Sequence, residues 1–240
     1  MKHNKKSVFI TMILLLSIIT NIMLMISGGG VDKILIKLRL QTSDERTDWT
    51  LESWKHSLAG LNFDSDIVFF GDSLTSNGDW QLYFPEYNIV NLGLIGDNIQ
   101  GMNSRIDMIE EVSPEKIFIM AGINSLANKN YKECLQDYEK MISDIQNLLP
   151  ESSLYIQSVL PVSNEKENQY ITNLNIDDFN HELKILAEKN EIIFIDMSRF
   201  FKEDCELKQT LTVDGIHINE DGYNVWSSCI SQYVYESKSL

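Results

Sequence analysis

The chain has 240 residues and a formal net charge of −15, with 43% hydrophobic and 23% charged residues. That length and composition suit one globular domain with appendages. The acidity argues against nucleic acid as a partner, because phosphates need basic contacts.

The amino-terminal stretch reads as an export signal. Lys2, Lys5 and Lys6 precede an apolar run over residues 8–26. At about 1.5 Å per residue such a run spans roughly 28 Å, close to the hydrocarbon thickness of a bilayer. The positive flank sets the N-terminus inside and the remainder outside. The run ends in Ser27-Gly28-Gly29-Gly30, small residues without an A-x-A cleavage pattern. Residues 1–30 are therefore expected to be a signal-anchor that touches the membrane, with a cleaved signal peptide as the alternative. Either puts the protein outside the cytoplasm. Residues 31–62 read as a stalk and a first helix. Asp48 or Thr50 could cap that helix, and Leu51, Trp54, Leu58 and Leu61 give it an apolar stripe.

Residues 63–240 carry the domain. Short continuous apolar runs at 67–70, 89–92, 117–120, 154–160 and 192–195 suit strands covered on both faces. Between them lie amphipathic patterns. One runs over 131–149 with Leu135, Tyr138, Ile142, Ile145 and Leu149, and another over 176–189 with Phe179, Leu183 and Leu186. A last helix starts near Glu220 with Tyr223, Trp226, Ile230 and Tyr233. Residues 161–173 read as a long loop. The alternation predicts an α/β fold in three layers, α/β/α, around a parallel sheet. Cys134, Cys205 and Cys229 have no CxxC spacing and no histidine spaced for zinc, and read as unpaired packing residues.

In an open parallel sheet the ligand site lies at the carboxyl ends of the strands. Three clusters fall there: Gly71-Asp72-Ser73-Leu74-Thr75, Asn91-Leu92-Gly93 and Gly122-Ile123-Asn124-Ser125. They offer a hydroxyl, a backbone amide and a carboxamide, a set suited to acyl transfer. A serine nucleophile needs a base beside it. Of the four histidines, His3 lies in the export segment and His56 on the early helix, while His181 follows Asp178 on a helix face, where such a pair is a surface contact. His217 remains, in Asp214-Gly215-Ile216-His217, where the glycine lets a carboxylate meet the imidazole.

These blocks resemble the SGNH hydrolase superfamily, also called GDSL esterases. The motifs GDSLT, N-x-G, G-x-N and D-x-x-H occur in that family's order over about residues 63–235. Trp80, Gly96-Asp97, Arg105 and the terminal DGIHINEDGY are similar to its platelet-activating-factor-acetylhydrolase-like, short-chain acyl esterase branch. The resemblance implies a five-stranded, flavodoxin-like sheet. It implies Ser73 as nucleophile, His217 as general base and Asp214 as its partner, with an oxyanion hole from the amides of Ser73 and Gly93 and the Asn124 carboxamide. The expected substrate is a short-chain acyl ester of a carbohydrate or another small molecule. A lysophospholipase, an acyltransferase and a catalytically silent glycan-binding protein are the alternatives. No cofactor or metal is implied, and nothing in the sequence speaks to oligomeric state. Two departures stand out. Ser125 replaces the family's usual aspartate after Asn124, which predicts a changed supporting hydrogen bond. Leu92, Leu94 and Ile95 either line the pocket or bury themselves.

Overall fold

A computed structural model of the chain describes residues 65–169 and 171–236. The expected anchor over 1–30 and the stalk and helix over 31–62 lie outside the described residues. Among the described residues no helix is long and apolar enough to cross a membrane.

Strands β1 (Ile67–Gly71), β2 (Ile89–Gly93), β3 (Lys116–Met120), β4 (Ser153–Gln157) and β5 (Ile193–Ile195) form one parallel sheet in the order β2-β1-β3-β4-β5. This is the flavodoxin-like order, with its switch point at β1 and β3. Short helices α1 (Ser73–Ser76) and α2 (Trp80–Tyr83) follow β1, and α3 (Ile99–Asn103) and α4 (Asp107–Glu110) follow β2. After β3 come α5 (Ile123–Leu126) and α6 (Tyr131–Leu148), and α7 (Asn173–Lys189) leads into β5. Beyond β5 lie α8 (Ser198–Phe201), a hairpin of β6 (Lys202–Glu203) and β7 (Glu206–Leu207), and α9 (Glu220–Tyr235).

The long helices begin where a polar side chain caps them. Asn130 accepts from Lys132 and Glu133 amides before α6, and Asn219 accepts from Gly222 before α9. Thr172 Oγ1 accepts from Asn175 N at 3.0 Å, so α7 starts at Asn173 rather than at 176. The fourth strand stops at Gln157, short of the expected 160. There Ser158 Oγ accepts from Met197 N and Ser198 N and turns the chain away from the sheet. Among its described residues, the expected loop over 161–173 contains the 3₁₀ turn Asn164–Lys166.

Aromatic residues fill one face of the sheet. Phe118 stacks on Phe69 at 5.2 Å and on Tyr155 at 4.5 Å; Trp80 stacks on Phe69 at 4.2 Å, and Trp226 of α9 meets Trp80 edge-on at 4.9 Å. Truncating a buried tryptophan such as Trp226 to alanine would cost about 3–5 kcal/mol. The pleat turns Val68, Phe70, Ile117 and Ile119 to the other face, and Tyr138, Ile142, Phe179 and Leu183 of α6 and α7 are buried. The packing role expected of the cysteines fits Cys134, which is buried, and Cys229, which is half-buried. Cys205 is the exception. It sits exposed at the turn of the β6–β7 hairpin, away from the core.

Candidate active site

Ser73 opens α1 immediately beyond β1 and is 9% exposed. Asp72 caps the helix, with Oδ1 accepting from Leu74 N at 3.0 Å. Ser73 Oγ lies 3.1 Å from His217 Nε2, although 144 residues separate them. His217 Nδ1 lies 2.8 Å from Asp214 Oδ2. An ionised carboxylate only accepts, so Nδ1 carries the ring proton and donates it to Asp214, leaving Nε2 to accept from the Ser73 hydroxyl. Asp214 Oδ1 also accepts from the amides of His217 at 2.7 Å and Ile216 at 3.0 Å. Burial raises the Asp214 pKa, but these hydrogen bonds and the imidazole outweigh it and hold the carboxyl at about 2.

The loop that presents this pair closes on itself. Thr212 Oγ1 donates to His217 O at 2.7 Å and accepts from Gly215 N at 2.8 Å, while Val213 N donates to His217 O at 2.9 Å. Tyr223, one turn into α9, donates its hydroxyl to Leu74 O at 2.7 Å. The helix that follows His217 is thus tied to the turn carrying Ser73.

The expected oxyanion donors divide. Asn124, in the first turn of α5, donates its Nδ2 to the Asp97 carbonyl at 2.7 Å, which leaves its second amide hydrogen available. The Ser73 amide has no hydrogen-bond partner among the described residues. The Gly93 amide, by contrast, is occupied: it donates to Asn91 Oδ1 at 2.9 Å. The expectation that Gly93 serves as a donor is therefore corrected. Position 93 is glycine for packing, since a Cβ there would sit 2.2 Å from the Ser76 amide nitrogen in the backbone of α1. Three residues on, beyond the end of β2, Gly96 is exposed at φ +78° with its amide unpartnered among the described residues. Its turn is closed by Asp97 N donating to Leu94 O at 3.1 Å, and the Asp97 carbonyl that follows holds Asn124. The usable signal was position: Gly93 ends a strand, whereas Gly96 lies where the chain turns.

Beneath the site lie three buried ionisable groups. Arg105 is fully buried and donates Nε to Asp97 Oδ2 at 2.7 Å, Nη1 to Leu92 O at 2.8 Å and Nη2 to Gly71 O at 3.0 Å. Burial works against both charges of the Arg105–Asp97 pair, and their mutual attraction offsets it. Burial also pushes the Asp72 carboxyl up to about 7, opposed chiefly by the Leu74 amide.

The family departures have local answers. Ser125 Oγ accepts from Ile99 N at 3.0 Å, fastening α5 to the start of α3. Leu92 and Leu94 turn inward, at 2% and 8% exposed, while Ile95 stands out at 70%. His181 is exposed on α7 beside a separate cleft with Asp177 and Lys184. His3 and His56 lie outside the described residues. A polar recess of about 230 Å³ behind Asp214 is lined by Ser163, Lys166, Gln209 and Gly215, among others. A larger cavity, about 770 Å³, sits at the opposite edge of the sheet, against Lys116, Ser153, Tyr155 and Glu236. It contains no group of the Ser73 array. Among the described residues no cluster of histidine, cysteine and carboxylate side chains is set to hold a metal.

A family model described as the GDSL-like lipase/acylhydrolase family matches residues 69–225. An N-acylneuraminate cytidylyltransferase of Streptococcus agalactiae is 22% identical over 181 residues, covering 75% of this chain and 41% of that protein. The chain thus spans about two-fifths of the length of such curated relatives. A solved structure described as a putative platelet activating factor from Streptococcus pneumonia aligns with a TM-score of 0.71 at 23% identity, over 88% of this chain and 99% of that one. A variant of an acetyl-xylooligosaccharide esterase from Geobacillus Stearmophilus aligns with a TM-score of 0.57 at 16% identity, over 73% and 96%.

Proposed function

On the premise that the chain belongs to the GDSL-like lipase/acylhydrolase family and is a carboxylic ester hydrolase, we propose that it releases a short acyl group, acetyl first among them, from a carbohydrate or similar polyol. Ser73, His217 and Asp214 act as the triad. The observation that carries this reading is the unbroken run of contacts from Ser73 Oγ to His217 at 3.1 Å and on to Asp214 at 2.8 Å.

In the first half-reaction Ser73 Oγ bonds to the ester carbonyl carbon as its proton passes to His217 Nε2. The carbonyl oxygen takes the negative charge, and the Ser73 amide, the Gly96 amide and the Asn124 Nδ2 are the groups available to receive it. Collapse breaks the bond to the alcohol, which leaves with the proton from His217. Water then attacks the acyl-enzyme with the same base, releasing the acid and restoring Ser73. Asp214 stays charged throughout and stabilises the imidazolium.

The acyl and sugar choices draw on two similar proteins, an acetyl-xylooligosaccharide esterase and an N-acylneuraminate enzyme. Acetylated xylo-oligosaccharides and acetylated N-acylneuraminate are therefore the sugars to assay. A second reading, hydrolysis of longer lipid acyl chains, is favoured by Ile95 at 70% and Val213 at 68% exposed beside Gly96 and Asp214. The apolar run over residues 8–26 supports work outside the cytoplasm at a membrane. Recovery of the intact chain in the cytosolic fraction of its host would remove that part.

Nitrophenyl esters of increasing acyl length separate the readings. Turnover highest on acetate to butyrate is expected; a maximum beyond about eight carbons would favour the lipid reading, since each buried methylene adds about 0.8 kcal/mol. No turnover of any ester and no fluorophosphonate labelling of Ser73 would overturn both.

A further inference from the structure

We propose that Arg105 is a positioning residue for the oxyanion-binding turns, and this rests on the esterase reading above. Each of its three hydrogen-bond acceptors belongs to a segment that leads into a candidate oxyanion donor. Gly71 O is on the residue two before Ser73. Leu92 O is at the end of β2, from which the Gly96 turn departs. Asp97 directly follows Gly96, and its carbonyl holds the Asn124 carboxamide. One guanidinium therefore gathers three chain segments whose donors must converge on a single oxygen.

The chemistry of the group suits this task. A guanidinium presents a flat, rigid fork of donors, so fixing its plane fixes the relative positions of all it touches. Phe70 sets that plane, with the Arg105 centre 4.4 Å from its ring centroid. A lysine at this position would keep the charge, but its single nitrogen could not span acceptors on two strands and a turn. A merely structural ion pair would be indifferent to where its acceptors lie. Here none belongs to the body of a helix, and all lie at the carboxyl edge of the sheet.

The test is Arg105→Lys in the full chain, read as kcat and KM on nitrophenyl acetate and as the rate of Ser73 labelling by a fluorophosphonate. Misaligning an oxyanion donor costs about 10²–10³ in kcat, so kcat should fall about 100-fold with a parallel fall in labelling and little change in KM. Lys116→Met serves as the control, because Lys116 is also buried on backbone carbonyls but at the other edge of the sheet. It should lower Tm and leave kcat unchanged. If Arg105→Lys does not fold, Asp97→Asn, nearly the same shape, takes its place in the same comparison. The inference is overturned if kcat falls no more than in Lys116→Met at matched loss of Tm, or if the loss lies wholly in KM. A wild-type protein that is neither labelled nor active overturns the esterase reading and this inference with it. An active wild type matched by an equally active Arg105→Lys overturns this inference alone.

Discussion

Arg105 and Lys116 are both cations held inside the fold by backbone carbonyls, at opposite edges of one sheet. Lys116 opens β3 and donates to the carbonyls of Val234 at 2.6 Å, Tyr233 at 3.0 Å and Glu236 at 2.6 Å. These are the carbonyls that the end of α9 leaves unpaired, so Lys116 terminates a helix and anchors it to the sheet. Arg105 instead ties the carboxyl ends of β1 and β2 to the turn that carries Asp97. At the amino edge charge is used to finish secondary structure; at the carboxyl edge it is used to aim backbone groups outward. The larger cavity lies at the amino edge against Lys116, and the smaller recess adjoins Asp214.

If chemistry is confined to the carboxyl edge, substitutions there should remove activity without unfolding the chain. The largest effect is expected for Ser73→Ala, about 10⁶ in kcat on nitrophenyl acetate. Its Tm should hold, because the lost hydroxyl contacts only His217 among the described hydrogen bonds. Substantial residual turnover would move the nucleophile elsewhere and break the comparison. Asp214→Asn should follow at about 10⁴, since an amide stabilises the wrong imidazole tautomer. With the folded pKa held at about 2, below the ordinary 3.8, Asp214 adds stability above pH 3.8 and loses it only as pH falls toward 2. Activity lost on mild acidification should therefore return when the pH is restored, because the Asp214 carboxylate and the turn it holds are unchanged there. A thermal unfolding series run beside the rate profile checks this, because Tm should not collapse where the rate first falls.

How much of this was legible in the sequence depends on whether a residue type or a conformation carries the feature. Ser73, Asn124, Asp214 and His217 could be nominated because acyl transfer needs those functional groups and few positions offer them, and folding brings Ser73, His217 and Asp214 into one run of contacts. The strands were readable because a sheet covered on both faces demands continuous apolar runs. Gly93 was the nominated donor rather than Gly96 because the two differ in where β2 ends, and only the fold shows the Gly93 amide held by Asn91 Oδ1. The β6–β7 hairpin escaped notice because its turn places Asp204 at φ 47° and Cys205 at φ 66°, where an Asn-Gly pair would have been the signal. Arg105 was noticed as part of a resemblance, but its partners lie 8, 13 and 34 residues away and only folding gathers them.

A smaller effect would sharpen the contrast in charge between the edges. Asp72 is buried next to Ser73 in the chain, with its carboxyl pushed up to about 7. Between pH 3.8 and about 7 the folded chain holds a proton there that the unfolded chain has lost, so stability falls as pH rises across that window. Asp72→Asn keeps an acceptor for the Leu74 amide and removes the titration. The Tm difference between wild type and Asp72→Asn should therefore shift in favour of the variant from pH 4.5 to pH 7.5. A difference independent of pH would mean that Arg105 and the surrounding amides keep Asp72 ionised at little cost.

The smallest expected effect concerns the rim rather than the buried layer. Ile95 is the neighbour of Gly96 yet 70% exposed, so little of its side chain contributes to the core. Ile95→Ala should leave stability within about 0.5 kcal/mol, as for other exposed positions. If the side chain meets the acyl group, removing its outer carbons should weaken butyrate turnover more than acetate turnover. The ratio of kcat/KM between the two esters would then shift by roughly three- to fourfold for each acyl methylene that Ile95 no longer shields from water, from about 0.8 kcal/mol apiece. An unchanged ratio would mean that the acyl chain leaves the site on another side, with Val213 on the Asp214 loop the next residue to truncate. A fall in both rates together would mean instead that Ile95 helps hold the Gly96 amide in place, making the exposed rim part of the same positioning system that Arg105 anchors from below.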